Sequence, residues 1–197
     1  MSVYDLSHWQ PAERIAELAQ KEDCEGFILK LGEMNEDTRE IELDPMFVTH
    51  VNNAVAAGKP YGIYYMSRAC NREEIEHEAH WINDVVAEYL NGSAPELGTW
   101  WDLERDEVKR DDISGDIFYA LDLLNSWWTT DRIGIYASYY YFRDYIGISN
   151  LIAKNTPVWN AQYNGEDYMK QRYGVHEVLW QFTTHENTQD ENEYYGF

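Results

Sequence analysis

The chain has 197 residues, enough for one domain with a substantial core, and 44% of them are hydrophobic, which excludes a disordered tail. Its formal net charge is −21, from 36 acidic and 15 basic side chains. Such a surface repels phosphate backbones and anionic membranes, so neither a nucleic-acid nor a membrane partner is expected.

The elements alternate in kind along the chain. Val3 to Ser7 reads as a strand, and Pro11 suits the first turn of a helix that carries Ile15, Leu18 and Ala19 on one face. Phe27 to Leu31 is a second strand, followed by an acidic loop from Glu33 to Asp44. Asp44-Pro45 opens a helix that Gly58 stops, and Tyr61 to Tyr65 is a third strand. Asn71 and Glu74 form a capping box for a helix whose apolar face runs Ile75, Ala79, Ile82, Val86 and Tyr89, ended by Asn91-Gly92. Thr99 to Glu104 is the fourth strand, Ile117 to Trp128 a helix and Ile133 to Tyr136 the fifth strand. Ser138 caps an aromatic helix to Ile146. Val158 to Gln162 and Leu179 to Thr183 are two more strands, and the tail from Asn187 to Phe197 adds a last short one.

Strands alternating with helices predict a parallel sheet. Seven or eight strands in a chain this short predict an α/β fold, a compact irregular (β/α) TIM-like barrel, as a single domain over residues 1–197. Catalytic groups in such barrels sit at the C-terminal ends of strands. Asp5 and Ser7 close the first strand, and Asp102 and Glu104 the fourth, so both ends face one mouth.

The fourth strand carries the chemistry. Side chains alternate along a strand, so Trp100, Asp102 and Glu104 share one face and Trp101 and Leu103 the other. Acids are disfavoured on a buried strand unless paired or given a task. Two acids beside a Trp suit glycoside cleavage, in which one carboxyl protonates the leaving oxygen while the other stabilises or attacks the sugar. The plainer alternative is a strand running into a solvated charged turn, 105–112. Burial beside apolar groups and a second carboxylate predict Glu104 as the protonated member and Asp102 as the ionised one. Positions two apart have Cα atoms roughly 6.6 Å from each other, which leaves retention and inversion both open. The 16 Tyr and 8 Trp exceed the needs of an ordinary core and suit stacking on sugar rings. Tyr64, Tyr136, Trp159 and Tyr163 lie near strand ends, as groove walls or as core.

Other features carry less. Two cysteines, Cys24 and Cys70, read as buried thiols, with one disulfide as the alternative. His77 and His80 have no third ligand at metal spacing, so a solvated helix face is the reading. His8 either touches substrate or is a plain loop residue. The acidic run from Glu186 to Glu193 lacks an EF-hand pattern and reads as solvated. MSVYDLSHWQ lacks the regions of a signal peptide, so synthesis in the cytoplasm is expected unless the chain was trimmed.

The motifs in sequence resemble the family-25 glycoside hydrolases, the Chalaropsis-type lysozymes of bacteria, fungi and bacteriophages. Tyr4-Asp5-Leu6-Ser7 resembles their opening IDVS strand, Lys30-Leu31-Gly32-Glu33 their KATEG strand end and Trp101-Asp102-Leu103-Glu104 their LDVE strand. Asp44 with Phe47, Ala57-Gly58, Tyr61-Gly62 and Tyr64 follow in order. Gly134-Ile135-Tyr136 is similar to IYT, Trp159 to Tyr163 to LWIAQY, Trp180 to Thr183 to WQYTS, and Asp190-Glu191-Asn192 to VDLN.

The resemblance implies an N-acetylmuramidase that cuts the β-1,4 bond between N-acetylmuramic acid and N-acetylglucosamine in bacterial peptidoglycan glycan strands. It implies net retention and no metal or other cofactor; a monomer, made inside the cell and acting at the bacterial wall, is expected. On the matching positions Glu104 is the general acid. Asp102 is its partner, as nucleophile or as the group orienting the substrate's acetamido oxygen, and Asp5 and Asp190 line the site. The chain departs from the family where YHF becomes Tyr64-Tyr65-Met66, where Met34 replaces a glycine, in an acidic insertion from Asn35 to Leu43, and in QDEN for VDLN. The rival readings are a non-catalytic glycan-binding barrel and a chitinase-like barrel; four retained acids weigh against a mere binder.

Overall fold

The computed structural model describes residues 2–183 and 189–197. Among the described residues nine strands are formed: β1 (Ser2–Leu6), β2 (Cys24–Met34), β3 (Ile41–Leu43), β4 (Tyr61–Met66), β5 (Thr99–Asp102), β6 (Ile133–Ser138), β7 (Val158–Ala161), β8 (Glu177–Thr183) and β9 (Asp190–Tyr194). Seven α-helices accompany them among the same residues: α1 (Arg14–Leu18), α2 (Phe47–Ala56), α3 (Arg72–Tyr89), α4 (Ile113–Trp128), α5 (Tyr139–Tyr141), α6 (Ile148–Lys154) and α7 (Tyr168–Tyr173). Hydrogen bonding runs β1-β9-β8-β7-β6-β5-β4-β2 and returns to β1, which closes an eight-stranded barrel with β3 added outside β2. Closure leaves the eight strands no free edge.

Within the barrel the expected parallel sheet is corrected at one strand. β9 runs antiparallel to both β1 and β8; β8 ends at Thr183 and β9 begins at Asp190, too few residues apart for the crossover that a parallel neighbour needs. The acidic loop is corrected too. β2 extends to Met34 and pairs antiparallel with β3, so much of that loop is a hairpin, turned at Arg39 with φ +60°.

Strand alternation sorts the core into two layers. Val3, Ile28, Trp100, Tyr136, Trp159 and Leu179 fill the barrel interior. Tyr4, Phe27, Tyr65, Trp101, Leu103 and Ile135 point outward, against Ile75, Ala79 and Ile82 of α3 and Ile117 and Leu121 of α4. Gly134 pairs with Trp100 in register, and an added Cβ would stand 2.6 Å from the Trp100 ring. That glycine makes room for an indole inside the barrel.

Local signals behave as their chemistry dictates. Asn71 Oδ1 accepts from the Glu74 N–H at 2.9 Å and caps α3, and Ser138 Oγ accepts from the Tyr141 N–H at 3.2 Å. Gly58 takes φ +66° after α2. The first helix starts at Arg14 rather than Pro11, and α4 starts earlier than expected, at Ile113. Tyr89 is 41% exposed and leaves the apolar face assigned to it, whereas Glu78 is fully buried there. Cys24 is buried and Cys70 exposed; both are free, so the expectation of two buried thiols fails at Cys70.

Two buried glutamates tie stability to pH. Glu78 accepts from Ser67 Oγ at 2.6 Å and from the Arg68 N–H at 3.2 Å, and burial pushes it up to about 8. Burial, then the charge of Asp167 and a hydrogen bond to it, pushes Glu177 up to about 9. A raised folded value means the folded chain holds the proton more tightly. The contribution is whole below the ordinary 4.5 and is lost as pH rises through about 8 for Glu78 and about 9 for Glu177. Urea midpoints are therefore expected to fall between pH 5 and 9, by more than about 1 kcal/mol in stability. Glu177→Gln flattens part of that fall; a pH slope identical to wild type would contradict the assignment.

Candidate active site

The interior-facing positions at the C-terminal ends of β1, β4, β5, β6 and β7 meet at one mouth. Asp5, Tyr64, Asp102, Glu104, Tyr136, Trp159 and Asp190 line a cavity of about 110 Å³ there, with Met66 and Gln181. The period of two places them together. Asp102 lies beside Met66 of β4 and Tyr136 of β6 in register, and Asp5 lies opposite Asp190.

Asp5 is held by amides. Its Oδ2 accepts from Asn192 Nδ2 at 2.8 Å and from Gln181 Nε2 at 3.1 Å. Gln181 Oε1 in turn accepts from the hydroxyls of Tyr136 at 2.8 Å and Tyr163 at 2.6 Å. Asn192 Oδ1 accepts from the Trp159 indole N–H at 2.7 Å. These bonds fix the carboxylate's orientation. Burial, and second the negative charge of Asp190 across the β1–β9 pair, push Asp5 up to about 7 despite the amide donors.

Asp102 is 2% exposed, and its Oδ1 has no hydrogen-bond partner. Burial drives its carboxyl well above the usual aspartate range, with Glu104 adding to the rise and Lys30 and Arg105 opposing it. Glu104 lies two residues past the end of β5 and is exposed. Burial therefore falls on the opposite member from the one expected: it is Asp102 whose carboxyl is enclosed, while Glu104 stands exposed. The cause is the barrel, which closes over the strand position and leaves the residue beyond it at the mouth.

The aromatic residues divide. Tyr136 and Trp159 are 7% and 2% exposed and form the cavity floor, their rings 4.4 Å apart. Tyr64 is half-buried, with its ring edge-on to Trp159 at 6.1 Å. Tyr163 is 50% exposed and stands outside the lining, joined to it through Gln181. His8 is fixed by Asp44, whose Oδ2 lies 2.9 Å from the ring Nδ1 and accepts from the His8 backbone N–H at 3.0 Å.

Three residues at the mouth were not singled out from sequence as site residues. Gln181 and Asn192 orient Asp5, and Lys30, 4% exposed, donates to Glu33 Oε1 at 3.1 Å and faces Asp102 with its charge. A lysine or amide at an inward position of a barrel strand is the signal that marks them. Among the described residues no group of three or more His, Cys, Asp or Glu is placed to hold a metal ion. His80 packs on Trp127, their rings 4.8 Å apart. Of the acidic run 186–193, residues 186–188 lie outside the described residues and 190–193 belong to β9. Among the described residues no helix is long and apolar enough to cross a membrane.

Residues 4–191 match the family model described as Glycosyl hydrolases family 25. Solved structures repeat the fold at low identity. The modular autolysin LytC from Streptococcus pneumoniae is 17% identical, with a TM-score of 0.79; the match covers 98% of this chain and 46% of that protein, so this chain spans under half its length. A muramidase from Trichobolus zukalii is 20% identical, with a TM-score of 0.74, over 100% of this chain and 94% of that one. The catalytic domain of endolysin ply40, from bacteriophage P40 of Listeria monocytogenes, is 18% identical with a TM-score of 0.73, over 98% and 92%. No curated protein matches this chain in sequence.

Proposed function

The chain belongs to the glycosyl hydrolases of family 25, and from that premise we propose that it acts at the bacterial cell wall. It cleaves the β-1,4 bond between N-acetylmuramic acid and N-acetylglucosamine in peptidoglycan. The observation that carries this reading is the convergence of Asp5, Asp102, Glu104 and Asp190 on one small cavity. Four acids around one pocket are costly to fold and suit a reaction that builds positive charge on a sugar ring. The muramidase and endolysin among the solved neighbours support the substrate class.

Glu104, at the mouth, protonates the glycosidic oxygen as the bond breaks. Asp102, beneath it with an unpartnered oxygen, faces the reacting sugar. In its ionised form it stabilises the developing charge as nucleophile or by orienting the substrate's acetamido group, either of which gives net retention. Asp5 and Asp190 add negative potential around the same ring, and the amides of Gln181 and Asn192 keep Asp5 aligned.

The test is digestion of purified peptidoglycan by wild type and by Glu104→Gln, with reduced products read by mass spectrometry. New reducing N-acetylmuramic acid ends, lost in the variant, are expected. Reducing N-acetylglucosamine ends would assign another bond. Binding without cleavage across several wall types would make the chain a glycan-binding barrel.

A further inference from the structure

Glu104 borders a second cavity, of about 230 Å³, on the side of β5 and β6. Lys109, Tyr140, Tyr141, Asp144 and Tyr145 line it with Glu104. Tyr140 is 62% exposed, an aromatic face left in water at the rim of a glycan-cleaving mouth. Its ring is nevertheless held. The Arg143 guanidinium sits 5.1 Å from the ring centroid, and the Tyr139 ring stands edge-on at 5.4 Å. Arg143 is fixed in turn by both carboxylate oxygens of Asp144, at 2.6 and 2.7 Å. Arg143, Asp144 and Tyr145 all lie on a π-helical turn, Phe142–Ile146, a rare backbone form concentrated at functional sites.

We propose that this second cavity is the subsite for the sugar on the leaving-group side of the scissile bond, with Tyr140 as its stacking platform. The inference rests on the glycan-cleaving reading above. A carboxyl that protonates a bridging oxygen must touch the sugars on both sides of it. Asp5, Asp102 and Asp190 lie in the first cavity, so the sugar that gains positive charge belongs there. The second cavity, across Glu104, then receives the departing sugar. Its chemistry suits an N-acetylhexosamine: a held aromatic face takes the apolar face of the ring, and Lys109 and Asp144 offer a donor and an acceptor to hydroxyl and acetamido groups.

The test compares Tyr140→Ala, Tyr140→Phe and wild type on two substrates sharing one donor disaccharide. One is a peptidoglycan tetrasaccharide of alternating N-acetylglucosamine and N-acetylmuramic acid. The other is the β-fluoride of N-acetylglucosaminyl-N-acetylmuramic acid, which places no sugar in the second cavity. Tyr140→Ala is expected to lower kcat/KM about 10-fold on the tetrasaccharide and to leave the fluoride unchanged. Tyr140→Phe should keep the tetrasaccharide rate, since the ring remains. Equal losses on both substrates, or no loss on either, overturn the subsite. A wild type inert on both substrates, though folded, overturns the hydrolase reading itself and the subsite with it.

Discussion

Glu104→Gln is expected to lower the rate of glycan cleavage by about 10²- to 10⁴-fold, the span of general acid catalysis. The amide keeps the shape of the side chain and cannot give up a proton. Because Glu104 is exposed at the mouth, the substitution should leave the fold's stability nearly unchanged. The loss should be far smaller on a glycosyl fluoride, since fluoride departs without full protonation. Equal losses on both substrates would remove Glu104 from the acid role and give it to another group, with Asp102 the first to examine because its surroundings hold a proton.

Asp102→Asn is expected to separate activity from stability. Cleavage should fall by about 10²- to 10³-fold, as for loss of a group aimed at developing charge. Stability should rise, because the carboxyl is 2% exposed, has one oxygen without a partner, and is pressed by Glu104 and Asp5. The sign follows from its raised folded value. The cost is absent below the ordinary 3.8 and grows as pH rises, so the variant's advantage should widen from pH 4 to pH 8. A gain of 1 kcal/mol corresponds to a Tm increase of about 2–4 °C in a chain of this size. Thermal melts of both proteins across that range give the answer. A variant that melts below wild type at pH 8 would show that the ionised Asp102 is stabilised by its surroundings.

Much of the site was legible because strand alternation is a local rule. Trp100 and Asp102 face inward and Trp101 and Leu103 outward, as a period of two requires, and the capping roles of Asn71 and Ser138 follow from side chains that satisfy nearby N–H groups. Burial was not legible in this way. A closed barrel encloses Asp102 and leaves Glu104 at its lip, and desolvation of Asp102 depends on everything packed around it. The direction of β9, by contrast, follows from the short gap between Thr183 and Asp190, which is too short for a parallel crossover.

The order of the strands and the family resemblance, the shared face of Asp102 with Trp100, and the caps were determined by the sequence itself, since each depends on residues a few positions apart. Closure of the barrel brought Asp5 opposite Asp190, set Gln181 and Asn192 on the Asp5 carboxylate, and joined Glu104 to a second cavity beside Tyr140. Those pairings join residues far apart in the chain, and only the packed tertiary structure fixes both their distance and the low-dielectric surroundings that set their charge.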